Sequence, residues 1–395
     1  MRIAYITHYA ELYGANRSLL DLMLELRRQG AVVPHVLLPK EGPLSERLTT
    51  EGIPHRVVGW QPWMSERYYM GRLHHRIGQH LRYERAARQR AASNRSALPD
   101  LLRILSDWQV EAVHVNSAAV GITGLLLKAL RIPLIWHIRE LPERQYLLHI
   151  DSGRRQYGRA LRKATRLIAI SKAVQEDIRR YAGNVSSALI YNGVLRTAAY
   201  RELAAHAHER WSSDAPFTFL LAGLIHPSKG QEEAIRAFAA LQRTHPGTHL
   251  VIAGDGRDTH LRKLISELGL EGRVELTGFV KDITPLMLRA HTLLMCSRNE
   301  AMGRVTVEGM GSGLPVIGHA SGGTLELVQD GRNGLLYPGG VEALAERMAA
   351  LAGDPAHARA LGQQAMCDAA ERFSVERYAH EVLDVYRSVL SQAPH

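Results

Sequence analysis

Two carboxylates and one cation stand in settings where they could do chemistry. Glu300 and Glu308 lie within SRNEAMGRVTVEGMGSGLPVIG, and Lys229 lies in LLAGLIHPSKGQEEAI. HTLLMCS reads as a strand ending at Ser297, Arg298 to Met302 as a loop, and a short helix is predicted to open at Gly303 or Arg304 and stop at Gly311–Gly313. The first-turn amides of a helix lack intrahelical acceptors and sit at the positive end of its dipole, so this start is an anion site. At about 1.5 Å per residue, the eight-residue spacing separates the glutamates by roughly 12 Å. One could hold sugar hydroxyls and the other ribose hydroxyls, with a diphosphate between them, which is the order of parts in a nucleotide sugar. Lys229, with Gly230 opening the next helix, supplies a cation for that diphosphate. The plain alternative is that all three are surface residues, but their glycine-rich loops after apolar runs argue for a ligand.

The elements that must position these groups are legible as periodicity. Short apolar runs alternate with amphipathic helical patterns: RIAYIT, AVVPHVLL, EAVHVN, PLIWHI and RLIAIS, then FTFLLAGL, HLVIAGDG, RVELTGFV, HTLLMCS, LPVIGHA and GLLYPG. This is an α/β pattern with parallel sheets. The expected organisation is an N-terminal doubly wound domain over 1–190, a linker and its neighbouring helix over 191–215, and a nucleotide-binding domain over 216–372. A final helix over 373–395 is expected to cross back to the first domain. Ligands of such sheets bind at the carboxyl ends of the strands, in a cleft between the domains. A basic helical insert at about 66–103 interrupts the first domain. It reads either as a solvated helix pair over a sheet edge or as a surface facing an acceptor or a membrane.

A chain of 395 residues with 46% hydrophobic and 22% charged residues has enough apolar material for two globular cores. Cys296 and Cys367 are far apart, so neither a disulfide framework nor a zinc site is expected, and a reducing cytoplasm fits. The start MRIAYIT reads as a first core strand rather than a secretion signal. A formal charge of +10 points to an anionic partner. Nucleic acid is the poorer choice, because the insert has few aromatics for stacking and would leave Glu300 and Glu308 unexplained. AGDGRD at 253–258 lacks the glycine spacing of a dinucleotide fingerprint, so no NAD is expected.

The chain resembles family 4 of the retaining glycosyltransferases, whose architecture is called GT-B, two Rossmann-like domains facing across a cleft. The resemblance covers nearly the whole length. It rests on Glu300 and Glu308 with the following GLPVIGHASGGTLELVQDGRNGLL, on SKG at 228–230, on YGANRSLL at 13–20 and on IPLIWHIREL at 132–141. It implies donor contacts at Gly14, Ala15, Gly223, Lys229, Val280, Glu300, Met302, Gly303, Arg304, Val305 and Glu308. Catalytic roles fall on Lys229, Glu300 and His137, the last as the histidine beside the transferred sugar in a post-strand position. Arg139 and Glu140 become acceptor-side candidates. The chain departs from the family where Leu224 follows Gly223 in place of an arginine, which leaves Arg298 or Arg304 to supply the second cation.

The implied reaction moves a sugar from a nucleoside diphosphate, UDP by expectation, to an acceptor hydroxyl with retention and without cofactor or metal. The acceptor could be lipid-linked at an anionic membrane, with the protein peripheral on its cytoplasmic face, in cell-surface glycan synthesis. A small soluble metabolite, a protein side chain, or an epimerase reaction on the same fold are the alternatives.

Overall fold

Every apolar run named above folds as a strand, because a parallel sheet covered on both faces needs near-continuous hydrophobic strands. The computed structural model describes residues 1–67, 72–212 and 215–392. It divides into two units, one formed by Met1–Gly193 with the chain from Glu376 onward, the other by Val194–Val375.

The first unit contains β1 (Arg2–Ile6), β2 (Val33–Leu38), β3 (His55–Val57), β4 (Met64–Glu66), β5 (Ala112–Val115), β6 (Leu134–Ile138), β7 (Leu148–Ile150), β8 (Arg166–Ala169) and β9 (Ser187–Leu189). Seven of these form a parallel sheet in the order β3-β2-β1-β5-β6-β8-β9, and β4 pairs antiparallel with β7 in a separate ribbon. The helix Val375–Ser391 contributes Tyr378, Val382 and Tyr386 to the core around Ile3, Tyr5 and Ile135.

The second unit contains β10 (Thr218–Ala222), β11 (His249–Ala253), β12 (Val274–Gly278), β13 (Thr292–Met295), β14 (Val316–His319) and β15 (Gly334–Tyr337), in the order β12-β11-β10-β13-β14-β15. All pairs are parallel. Both units are therefore Rossmann-like α/β sheets. Each has one place where the winding reverses, between β1 and β5 in the first and between β10 and β13 in the second. The loops leaving those strand pairs diverge and open a crevice for a ligand.

Three expectations need correction. The basic insert is one helix, Leu73–Asp107, not a pair. It runs through Pro99 because Ala97, Leu101 and Leu105 bury the inner face there, which offsets the lost backbone bond. Residues 68–71 of the insert, 213–214 of the expected linker and 393–395 of the last segment lie outside the described residues. The stretch read as a linker is packed structure from Val194 on. Tyr200 and Leu203 of the helix Thr197–His206 are buried, and Arg210 donates to the carbonyls of Leu288 at 3.1 Å and Ser312 at 2.6 Å. A polar, alanine-rich pattern hides such packing because the arginine is satisfied by carbonyls remote in sequence. Strand β13 ends at Met295 rather than Ser297.

Candidate functional site

Lys229 and Glu300 come from the two loops that diverge at the reversal point of the second sheet. The loop after β10 closes with a single 3-10 turn, Pro227–Lys229, capped when the His226 imidazole accepts the Ser228 amide. Gly230 then takes a left-handed φ of 74° and starts the helix Gln231–Leu241. A side chain at this position would meet the Cys296 Cβ at 2.6 Å and its carbonyl oxygen at 2.7 Å, so the two post-strand loops touch here backbone to backbone. The Arg298 amide adds a bond to the Ser228 carbonyl at 3.3 Å. Gly230→Ala is therefore expected to cost about 2–4 kcal/mol from the strained φ and overpacking together. Urea unfolding of the variant checks this, and an unchanged midpoint would contradict the close approach.

The result of this stitching is that the Lys229 Nζ donates to Glu300 Oε2 at 2.7 Å, with the two side chains 20% and 11% exposed. Glu300 is held from behind. Asn299 adopts a left-handed φ of 54° and its amide donates to Ser321 Oγ, while the Gly323 amide donates to the Glu300 carbonyl at 2.7 Å. Gly303, at φ 88°, is the turn into the helix Arg304–Gly311, and a Cβ there would sit 2.9 Å from Thr306 Oγ1. A carboxylate, an ammonium and a helix start thus converge at the carboxyl ends of the two central strands, β10 and β13.

The other donor candidates are spread around this centre. Met302 and Glu308 are buried, Val305 and Arg304 half-buried. The Arg304 guanidinium lies 3.7 Å from Glu308, one turn further along its own helix, and donates to the Val194 carbonyl at 3.2 Å. Arg298 is open, its side chain 65% exposed and 3.5 Å from Glu233. Leu224, where the family's arginine would stand, is exposed and follows Gly223 directly after β10. Val280 is half-buried in the loop after β12 beside Phe279, which is 73% exposed.

In the first unit, Gly14 and Ala15 open the helix Gly14–Arg28 at the reversal point between β1 and β5, and Asn116 from the β5 loop donates to the Ala15 carbonyl at 3.2 Å. Gly14 is not left-handed, so what it offers a phosphate is the missing side chain rather than an unusual backbone.

His137 does not stand after its strand. It lies within β6, fully buried, with its ring 5.3 Å from that of His114. Burial first, then Arg139 and His114, push its imidazole well below the usual histidine range. Arg139 is a buried hub rather than an open cation. It donates to Asn116 at 2.6 Å, to Asn192, to the Tyr378 hydroxyl at 2.7 Å, and lies 3.3 Å from His137 Nδ1. Glu140 is half-buried and accepts the Ala118 amide at 3.0 Å, while desolvation raises its carboxyl against those hydrogen bonds. The acceptor-side expectation for Arg139 and Glu140 meets side chains already used internally. The sequence reading missed this hub because Asn116, Asn192 and Tyr378 come from distant segments. The one available signal was the pair Tyr378 and Tyr386 on one face of the last helix.

Comparison with known proteins follows the same division. Residues 13–195 match the family described as glycosyltransferase family 4, and residues 206–366 match glycosyl transferases group 1. The alpha-D-kanosaminyltransferase of Streptomyces kanamyceticus is 28% identical over 239 residues, covering 58% of this chain and 62% of that protein. The lipopolysaccharide core biosynthesis glycosyltransferase LpsE of Rhizobium meliloti is 29% identical over 184 residues, 46% of this chain and 52% of that protein. The chain thus spans less than two thirds of the length of these relatives. Among solved structures, Anabaena Alr3699/HepE in complex with UDP superposes with a TM-score of 0.78 at 23% identity, covering 98% of this chain and 100% of that one.

Proposed function

The chain belongs to the family 4, group 1 glycosyltransferases, and we propose that it moves a sugar from a nucleoside diphosphate, UDP in the first place, to an acceptor hydroxyl. The observation that carries this reading is the 2.7 Å contact of Lys229 with Glu300 beside the start of the helix Arg304–Gly311, at the reversal point of the second sheet. A diphosphate placed there meets an ammonium and first-turn amides, and a carboxylate stands ready for sugar hydroxyls. UDP is favoured by the solved HepE complex, a protein of the same fold.

In the proposed step the bond from the anomeric carbon to the leaving phosphate oxygen breaks as the acceptor oxygen bonds on the same face. The acceptor proton passes to the leaving phosphate, so the configuration is retained and Glu300 remains a holder of hydroxyls rather than a nucleophile. Lys229 and the helix start bear the charge that develops on the diphosphate, which is the largest catalytic term available. Arg298, open and in the same loop, takes over from the arginine replaced by Leu224. No metal is required in this scheme. The acceptor is a glycan intermediate, lipid-linked and met at a membrane surface, in line with the lipopolysaccharide role named for LpsE.

A thermal-shift panel of nucleoside diphosphates tests the donor site directly. At a hundredfold excess over Kd, UDP should stabilise the chain by about 2.7 kcal/mol, a rise of a few degrees, and chelator should not remove it. No shift with any nucleoside diphosphate would refute the site. A shift lost in chelator and restored by magnesium would refute metal independence alone.

A further inference from the structure

The long basic helix Leu73–Asp107 has two faces that do not coincide. Its C-terminal two thirds bury Ala87, Asn94, Leu101 and Leu105 against the first unit. At about 100° per residue these fall on one side of the helix. Leu73, Ile77 and Leu81 form a second line, at about 0°, 40° and 80°, roughly 100° away from the buried side. They are 74%, 54% and 64% exposed.

From its third turn on, the helix is tied to the rest of the first unit through side chains. Arg67, at the end of the β4–β7 ribbon, pairs with Glu84 at 3.0 Å and lies over the Tyr83 ring, and Arg90 forms a forked pair with Asp151 at 2.8 Å. Toward the N-terminus of these ties, Arg72 to Arg82 are exposed apart from half-buried Gln79, a projection of roughly 15 Å. At the same end of the ribbon the pairing of Glu66 with Leu148 places Leu147 beside Arg67. Leu147 is 75% exposed and holds a left-handed φ of 53°, a conformation that disfavours a leucine and here presents one to solvent.

Single exposed aliphatic residues are ordinary, but three at i, i+4, i+8 with a fourth at the ribbon end make a stripe. Its charge setting selects an occupant. Arg76 and Arg85 flank the stripe at about −60° and 120°, and Arg72, Arg82 and Arg88 are also exposed, against one acidic residue, Glu84, between Arg72 and Arg90. An apolar stripe bracketed by arginines matches the acyl boundary and headgroups of an anionic bilayer. We propose that the projecting turns carrying Leu73, Ile77 and Leu81, with Leu147, insert into anionic lipid and seat the first unit on a membrane surface. This deepens the membrane setting proposed above for the acceptor, on which it rests.

The full chain should co-sediment with phosphatidylcholine vesicles that contain phosphatidylglycerol, weakly with phosphatidylcholine alone, and less at high salt. The triple variant Leu73→Ser, Ile77→Ser, Leu81→Ser should bind the anionic vesicles roughly thirtyfold more weakly or worse. Its melting temperature and nucleotide-induced shift should match the parent, since none of the three side chains is in the core or the donor site. Binding by the triple variant equal to the parent would overturn the proposal, as would no preference for anionic vesicles. Conversion of a dimer to a monomer by the triple substitution without lipid would assign the stripe to a second copy instead and overturn it too. Vesicle binding does not depend on nucleotide, so failure of the donor site and failure of this surface are separate results.

Discussion

Lys229→Ala is expected to lower kcat for sugar transfer by about a hundred- to a thousandfold, with a much smaller change in KM. The ammonium stands 2.7 Å from Glu300 at the helix start, and in the proposed reaction the charge on the diphosphate grows beside it as the bond to the leaving group breaks. An interaction that strengthens in the transition state acts on kcat rather than on ground-state binding. Because Glu300 is only 8% exposed, removal of its cation also leaves a nearly buried carboxylate without that partner, so stability must be measured beside activity. Lys229→Arg, which keeps the charge but changes its geometry, should recover part of the rate. Arg298→Gln should act mainly on KM, since that side chain is open to solvent. A folded Lys229→Ala protein with kcat within tenfold of the parent, assayed with the donor that shifts the melting temperature most, would remove Lys229 from the chemistry.

The second large effect is a loss of stability in mild acid, from the buried histidines of the first unit. His114 and His137 are fully enclosed and their imidazoles are held well below the usual range, by burial first and by Arg139 second. Protonating either would put a cation beside the Arg139 guanidinium, which already donates to Tyr378 and Asn116. The unfolded chain takes up these protons as pH falls through about 6.5, and the folded chain does not. The stability these histidines contribute is therefore complete above about pH 6.5 and declines below it toward their folded values. Between pH 6 and 5 the two together should cost about 2.4 kcal/mol. Trp60, Trp63, Trp108 and Trp136 lie in the first unit and only Trp211 in the second, so tryptophan fluorescence in urea reports mainly the relevant unfolding. His137→Gln should remove about half of the part of the pH slope that His114 and His137 supply, since His8, pushed down to about 3 by burial, adds its own share. An unchanged slope in both His137→Gln and His114→Gln would show that other groups take up the protons.

Much of the fold was legible because each strand of a covered parallel sheet writes its own hydrophobic signature. LIWHI in β6 and TLLM in β13 are buried at every position, and a local reading suffices to find them. The loop and helix after β13 were readable for a related reason, since Gly303 and the helix Arg304–Gly311 follow local backbone rules. Lys229 was a weaker signal, as most lysines face solvent. Its standing rests on Gly230, whose missing Cβ lets the loop after β10 reach Cys296.

The sequence by itself determined which segments form the strands and which loops follow them to within a residue or two, and so where a ligand can meet the reversal point of each sheet. It did not determine which of the side chains there are spent inside the protein. His137 reads as a post-strand histidine and Arg139 as an open cation until Asn116, Asn192 and Tyr378, the last 239 residues away, close around the guanidinium. Arg304 and Arg298 look interchangeable as cations until one turns along its helix toward Glu308 and the other stays exposed. The physical reason is the same in each case. Periodicity and turn chemistry are properties of neighbouring residues, whereas desolvation and hydrogen-bond partners are set by segments that meet only when the chain has folded.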